Sequence, residues 1–262
     1  MGLCAFLASG GRAQADPAAF CDGSVRFALY ENGYIYEAST DRGIDKDVAL
    51  ELARRSGCRF EFVVQPRARI WHELELGGVM MTGSAMPTTE RRSFAWFVTY
   101  MAQKNYVIVS RQANSHDPAS FRADPGLRWG AVRGYRHGAQ ADAFLGTLRQ
   151  AGRVAEGSDL GEVFRLFSRG RTAAVMAPPP AYVRYLRGVL NVDQVRIEDW
   201  FPDDPPIPHA LAFSRRHFSV EQIASWRRLV KGMREDGSLQ AIYVRYLGQE
   251  GAERLMAFKP DE

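Results

Sequence analysis

Residues 71–100, WHELELGGVMMTGSAMPTTERRSFAWFVTY, decide how this chain is read. A short helical turn over residues 70–76 stops at Gly77-Gly78, and an apolar stretch over 79–83 then reads as a buried strand. Thr88-Thr89-Glu90-Arg91 follows, just before an aromatic run that ends at Tyr100. An arginine fixed at the end of a buried strand is suited to hold a carboxylate. Its planar fork donates two parallel hydrogen bonds, and it keeps its charge.

Upstream of this block, residues 24–30, SVRFALY, alternate apolar and smaller residues as a strand does, and 31–42 read as a loop. Residues 44–55 place Ile44, Val48 and Leu52 at four-residue spacing, open with acids and close at Gly57, which predicts an amphipathic helix. Residues 59–64, RFEFVV, form a second strand. Strand, helix, strand, helix, strand with short joins predicts a parallel sheet covered on both faces. A second such series begins at 106–110, with strands at 127–132, 172–176 and 194–197 and helices at 138–150, 159–168 and 181–190. Pro178-Pro179-Pro180 ends the 172–176 strand, since proline cannot continue a ladder. A proline-rich linker leads to a last strand at 209–213 and to helices at 220–234 and 238–247.

The bulk numbers narrow the classes. A chain of 262 residues accommodates two compact domains, and 46% hydrophobic with 24% charged residues is the balance of a globular protein. The net charge of +4 is mild and the arginines are scattered, so nucleic acid is not an expected partner. No run of eighteen apolar residues is present to span a membrane. Residues 1–10 are apolar and small, Ala13-Gln14-Ala15 precedes Asp16 as a small-x-small cleavage site would, and residues 1–15 read as the remnant of a secretory signal. Its removal takes Cys4 with it and leaves Cys21 and Cys58. These two form a disulfide, if their strands are parallel neighbours in an oxidising compartment, or stay two buried thiols.

The ordered set of features resembles family 3 of the bacterial periplasmic solute-binding proteins: Trp71, the turn ending in glycine, the apolar strand, Thr88-Thr89-Glu90-Arg91, and the closing Asp236-Gly237-Ser238-Leu239…Ile242…Tyr246. The likeness covers about residues 24–248. It implies an α/β, two-lobed type II periplasmic-binding fold, each lobe a mainly parallel sheet flanked by helices, joined by a hinge of two crossings. Residues 20–101 and 209–262 would form lobe one, 102–201 lobe two, and 202–208 the return linker. It further implies a periplasmic monomer that captures a small solute between its lobes, without cofactor or metal, and delivers it to the permease of an ABC transporter.

The same resemblance carries the site. Arg91 would grip a carboxylate beside strand-end groups near Gly83, Ser84 and Met86. Tyr30, Tyr34 and Trp71 would wall the pocket, and Glu31 would meet a cationic group. The second-lobe turn would contribute through Tyr135 and Arg136, next to His137. Each residue has a plainer reading: Arg91 and Glu31 as solvated charges, Trp71 as core.

Two departures bear on the ligand. Where the family commonly has an aspartate in the third strand, this chain has Val79 or Met80; where it has the second-lobe aspartate that binds an α-amino group, this chain has Ala177 or Pro178. A buried ammonium without a carboxylate is costly, so the expected ligand is anionic and not an ordinary α-amino acid. No catalytic motif stands out, and the histidines lack metal-ligand spacing. Two rivals remain at this level. One is a cyclohexadienyl-dehydratase-like enzyme on the same scaffold, with Glu31 or His137 as acid; the other is a periplasmic partner of a redox enzyme that no longer binds solute.

Overall fold

The computed structural model describes residues 16–186 and 192–257. The expected signal remnant, residues 1–15, lies outside them, as does the end of the helix expected over 181–190. The first sheet-forming series is β1 (Val25–Leu29), α1 (Ile44–Ser56), β2 (Phe60–Val64), α2 (Arg67–Leu76), β3 (Met81–Ala85), α3 (Thr89–Arg92) and β4 (Ala95–Gln103). The second is β5 (Tyr106–Ser110), α4 (Pro118–Ala123), β6 (Trp129–Val132), α5 (Ala139–Gln150), β7 (Val154–Gly157), α6 (Leu160–Ser168), β8 (Ala174–Ala177), α7 (Pro179–Leu186) and β9 (Val195–Glu198). The chain then returns through β10 (Ile207–Ser214) to α8 (Val220–Glu235) and α9 (Ser238–Met256).

Two five-stranded sheets result, ordered β2-β1-β3-β10-β4 and β7-β6-β8-β5-β9. Each is parallel along one half and antiparallel along the other, so the mainly parallel sheets expected from the sequence are in fact mixed. The reason lies in the connections. Parallel neighbours are joined by crossover helices. β10 and β5 instead enter as strands that pass from one sheet to the other, and they run against their neighbours. Strand β10 lies in the middle of its sheet, buried along almost its whole length. Pro208 is tolerated there because it pairs only with β4, outside the stretch that β3 covers.

Local chemistry explains the elements. Helix α1 buries Ile44, Val48, Ala49 and Leu52, carries Asp45 and Asp47 in its first turn and Arg54 and Arg55 in its last, and ends at left-handed Gly57. The first sheet packs one face on Phe27, Trp226 and Tyr243, and the other on Tyr30, Ile70 and Trp71. The second packs one face on Phe121, Trp129, Phe144 and Trp200, and the other on Phe164, Phe167 and Tyr185. Cys21 and Cys58 are joined in a disulfide across 37 residues of sequence, with a Cα–Cα distance of 6.3 Å.

Candidate functional site

The ends of the parallel strands in both sheets point toward one another. Tyr30 follows β1, Ser84 and Ala85 close β3, and the turn 133–138 follows β6. Open α/β sheets bind ligands at this edge. Tyr135 shows that the two edges meet, because it packs against the core of the first sheet and of the second.

Arg91 is buried to 7% exposure on the short helix α3, whose N-cap Thr88 accepts the Arg91 backbone N–H. Its guanidinium lies flat over the Trp71 indole at 3.7 Å. One nitrogen donates to the Met86 carbonyl at 3.1 Å and the other crosses to the Gly134 carbonyl at 2.9 Å. Among the described residues it makes no ion pair within 4.0 Å. Burial, then the charges of Arg67 and Arg136, pull its pKa down to about 9. A cation under this strain is suited to an arriving anion.

Sequence reasoning missed Arg67. It is 2% exposed at the first position of α2 and lies between the Tyr30 ring, 4.4 Å away, and the Trp71 ring, 4.6 Å away. It donates to the carbonyls of Gly83 and Ser84 and to the Thr82 hydroxyl. Nothing in its spacing marks it, because only the fold turns the start of α2 toward the end of β3. Asp45 was read only as a helix-opening acid. It accepts hydrogen bonds from the hydroxyls of Ser84 and Tyr100, and burial lifts its pKa to about 6. A Cβ on Gly83 would stand 2.5 Å from that carboxylate, which is why glycine is required there. Ser84 itself adopts φ +47°, a conformation that L side chains rarely take.

The other expected site residues divide. Tyr30, Trp71, Gly83, Ser84 and Met86 surround the two guanidiniums. Tyr135 packs tilted beside His137, ring centroids 4.9 Å apart, with its hydroxyl buried near Asn32. Arg136 is half exposed, 4.0 Å from Glu90 of the first sheet's side. Glu31 does not face Arg91 as a free acid: it accepts from the Tyr185 hydroxyl at 2.9 Å and from the Ala38 N–H at 2.8 Å. Tyr34 leaves the set and packs against Tyr246 of α9.

Several contacts join the two halves. Glu37 pairs with Arg184, Leu160 N–H reaches the Glu31 carbonyl at 3.5 Å, and Gly33 lies so close to α7 that a Cβ would meet the Ala181 carbonyl at 2.6 Å. A cavity of about 450 Å³ lies between the halves, lined by Glu31, Glu37, Gln65, Asp159, Arg165 and Tyr185 among others. His137 and His209 are buried, and burial lowers each pKa to about 3, so both imidazoles are neutral.

The model of the bacterial extracellular solute-binding proteins, family 3, matches residues 27–249. The chain belongs to that family. Among solved structures it is similar to the arginine-, lysine-, histidine-binding protein ArtJ from Geobacillus stearothermophilus, at 13% identity and a TM-score of 0.73, covering 87% of this chain and 96% of that one. An ancestral arginine-binding protein bound to arginine gives 19% identity and a TM-score of 0.72 over 87% and 100% of the two chains. The ancestral amino-acid-binding protein AncCDT-1, a precursor of cyclohexadienyl dehydratase, gives 18% and 0.67 over 86% and 95%. These likenesses establish the two-lobed type II fold. No curated protein matches the chain. Among the described residues, no helix is long and apolar enough to cross a membrane.

Proposed function

We propose that this protein closes its lobes on a small anionic solute in the periplasm and presents the closed form to an ABC-type permease. The observation that carries the reading is Arg91: a buried guanidinium, unpaired with any acid among the described residues, with one N–H on a carbonyl of each sheet's edge. Tyr30, Trp71, Ser84, Met86 and Tyr135 complete the wall. A ligand that touches both edges favours the closed state, because only differential affinity moves a two-state equilibrium.

The absent aspartates favour a solute without an α-ammonium group, since β8 ends in buried Ala177 and Pro178 where the family's acid would stand. Dehydratase chemistry would need a positioned acid. Glu31 is occupied by Tyr185 and Ala38, and His137 is held neutral, which weighs against that reading.

Thermal shift with small mono- and dicarboxylates, amines and sugar acids tests the reading. Carboxylates should raise the melting point in a concentration-dependent way, and Arg91→Ala should abolish the rise. A rise that Arg91→Ala leaves intact would refute it.

A further inference from the structure

Arg67 puts a second buried positive charge beside Arg91, on the same indole. All the acceptors it uses are neutral, and among the described residues it has no ion pair within 4.0 Å. Asp45 acts on it, but that carboxylate is committed to Ser84 and Tyr100. Both guanidinium carbons stand over one indole, so their separation cannot exceed the sum of their 4.6 Å and 3.7 Å distances to its centre. Each guanidinium has five N–H groups and keeps donors beyond the bonds it makes. A further donor, the Trp71 indole N–H, is buried there without a partner among the described residues. The cleft is therefore rich in donors and poor in acceptors. The acids whose charges reach the two guanidiniums are committed or exposed: Asp45 to Ser84 and Tyr100, Asp142 to the His137 N–H, and Glu90 to solvent.

Resting on the cleft as the solute site, we propose that the ligand is a small dianion without an ammonium group, one oxyanionic edge on Arg91 and the other on Arg67. A monoanion would leave one of two mutually repelling buried cations uncompensated, whereas a dianion neutralises both. Its many oxygens also supply the acceptor that the indole lacks. The short distance between the guanidiniums suits either a short dicarboxylate or two edges of one phosphonate group.

Isothermal titration of the native protein, at fixed ionic strength and at a pH above the second ionisation of methylphosphonate, decides the matter. The probes are succinate against its half-amide succinamate, and methylphosphonate against its singly charged methyl ester. At least one dianion should bind tenfold or more tightly than its singly charged counterpart, the scale of one charged hydrogen-bonded contact. Which pair shows the difference tells dicarboxylate from phosphonate. Arg67→Gln should erase the preference for a dianion over its singly charged counterpart, and Arg67→Lys should restore part of it. The native comparison stands alone if Arg67→Gln does not fold. A monoanion that binds as tightly as its dianion overturns this proposal and leaves Arg91 as anchor. If no probe binds, the dianion proposal falls, and the solute-site reading is judged on its own by the thermal-shift panel with Arg91→Ala.

Discussion

Arg91→Met separates a functional arginine from a structural one. The substitution removes the charge and keeps an unbranched chain of similar reach. Holding a guanidinium at about 9, well below its ordinary value, amounts to about 5 kcal/mol against the charged form. Against this stand two charged hydrogen bonds, to Met86 and Gly134, at about 1.5–3 kcal/mol each. Stacking on the Trp71 indole adds about 1–2 kcal/mol. The opposing contributions nearly cancel, and the Gly134 carbonyl regains water whenever the lobes part. Urea unfolding without ligand should therefore place Arg91→Met within about 1.5 kcal/mol of the native protein, whereas removing a partner from a structural buried pair costs about 3–5 kcal/mol. The same variant should lose anion affinity by about a hundredfold or more. A destabilisation above about 3 kcal/mol with ligand affinity intact would refute the assignment.

Reducing the Cys21–Cys58 bond should lower unfolding free energy by about 4 kcal/mol on the chain-entropy model, measured by denaturant titration with and without reductant; a change below about 1 kcal/mol would count against it. Asp45 has a folded pKa near 6, above its ordinary 3.8, so the native state binds its proton more tightly and this group's contribution falls as pH rises from about 4 to 6. Asp45→Asn should remove that slope, gaining about 3 kcal/mol on the native protein across the window, and parallel pH curves for the two proteins would contradict this. Gly33→Ala has φ +59° to satisfy and the Ala181 carbonyl at 2.6 Å, so small-angle scattering should report a larger radius of gyration; an unchanged radius would show that the contact gives way locally.

The fold was legible because the sequence keeps two periods distinct. Ile44, Val48 and Leu52 mark α1, and the alternation in Phe60, Phe62 and Val64 marks β2. Strand β7 and helix α4 were not visible: VAEG is a four-residue, half-buried edge, and PASFRA buries only Phe121. Within the candidate site, Tyr30 and Arg91 follow from their place just beyond strand ends, and Trp71 from the family resemblance alone. Arg67 and Asp45 do not, because their importance arises only when α1, α2 and β3 converge on Gly83 and Ser84. Tyr185 and Arg184, which meet Glu31 and Glu37, sit more than a hundred residues away in sequence and carry no motif.

The position of β10 sets an order of events on the ribosome. It is the strand between β3 and β4, yet every residue of the second sheet is synthesised before it. Until residues 207–214 emerge, β4 has no neighbour and β3 presents a bare edge, a surface open to wrong pairing. The second sheet is contiguous in the chain and needs nothing made later. The nascent protein therefore completes the half-molecule in the middle of its chain first, and the half assembled from the segments on either side of it is sealed last.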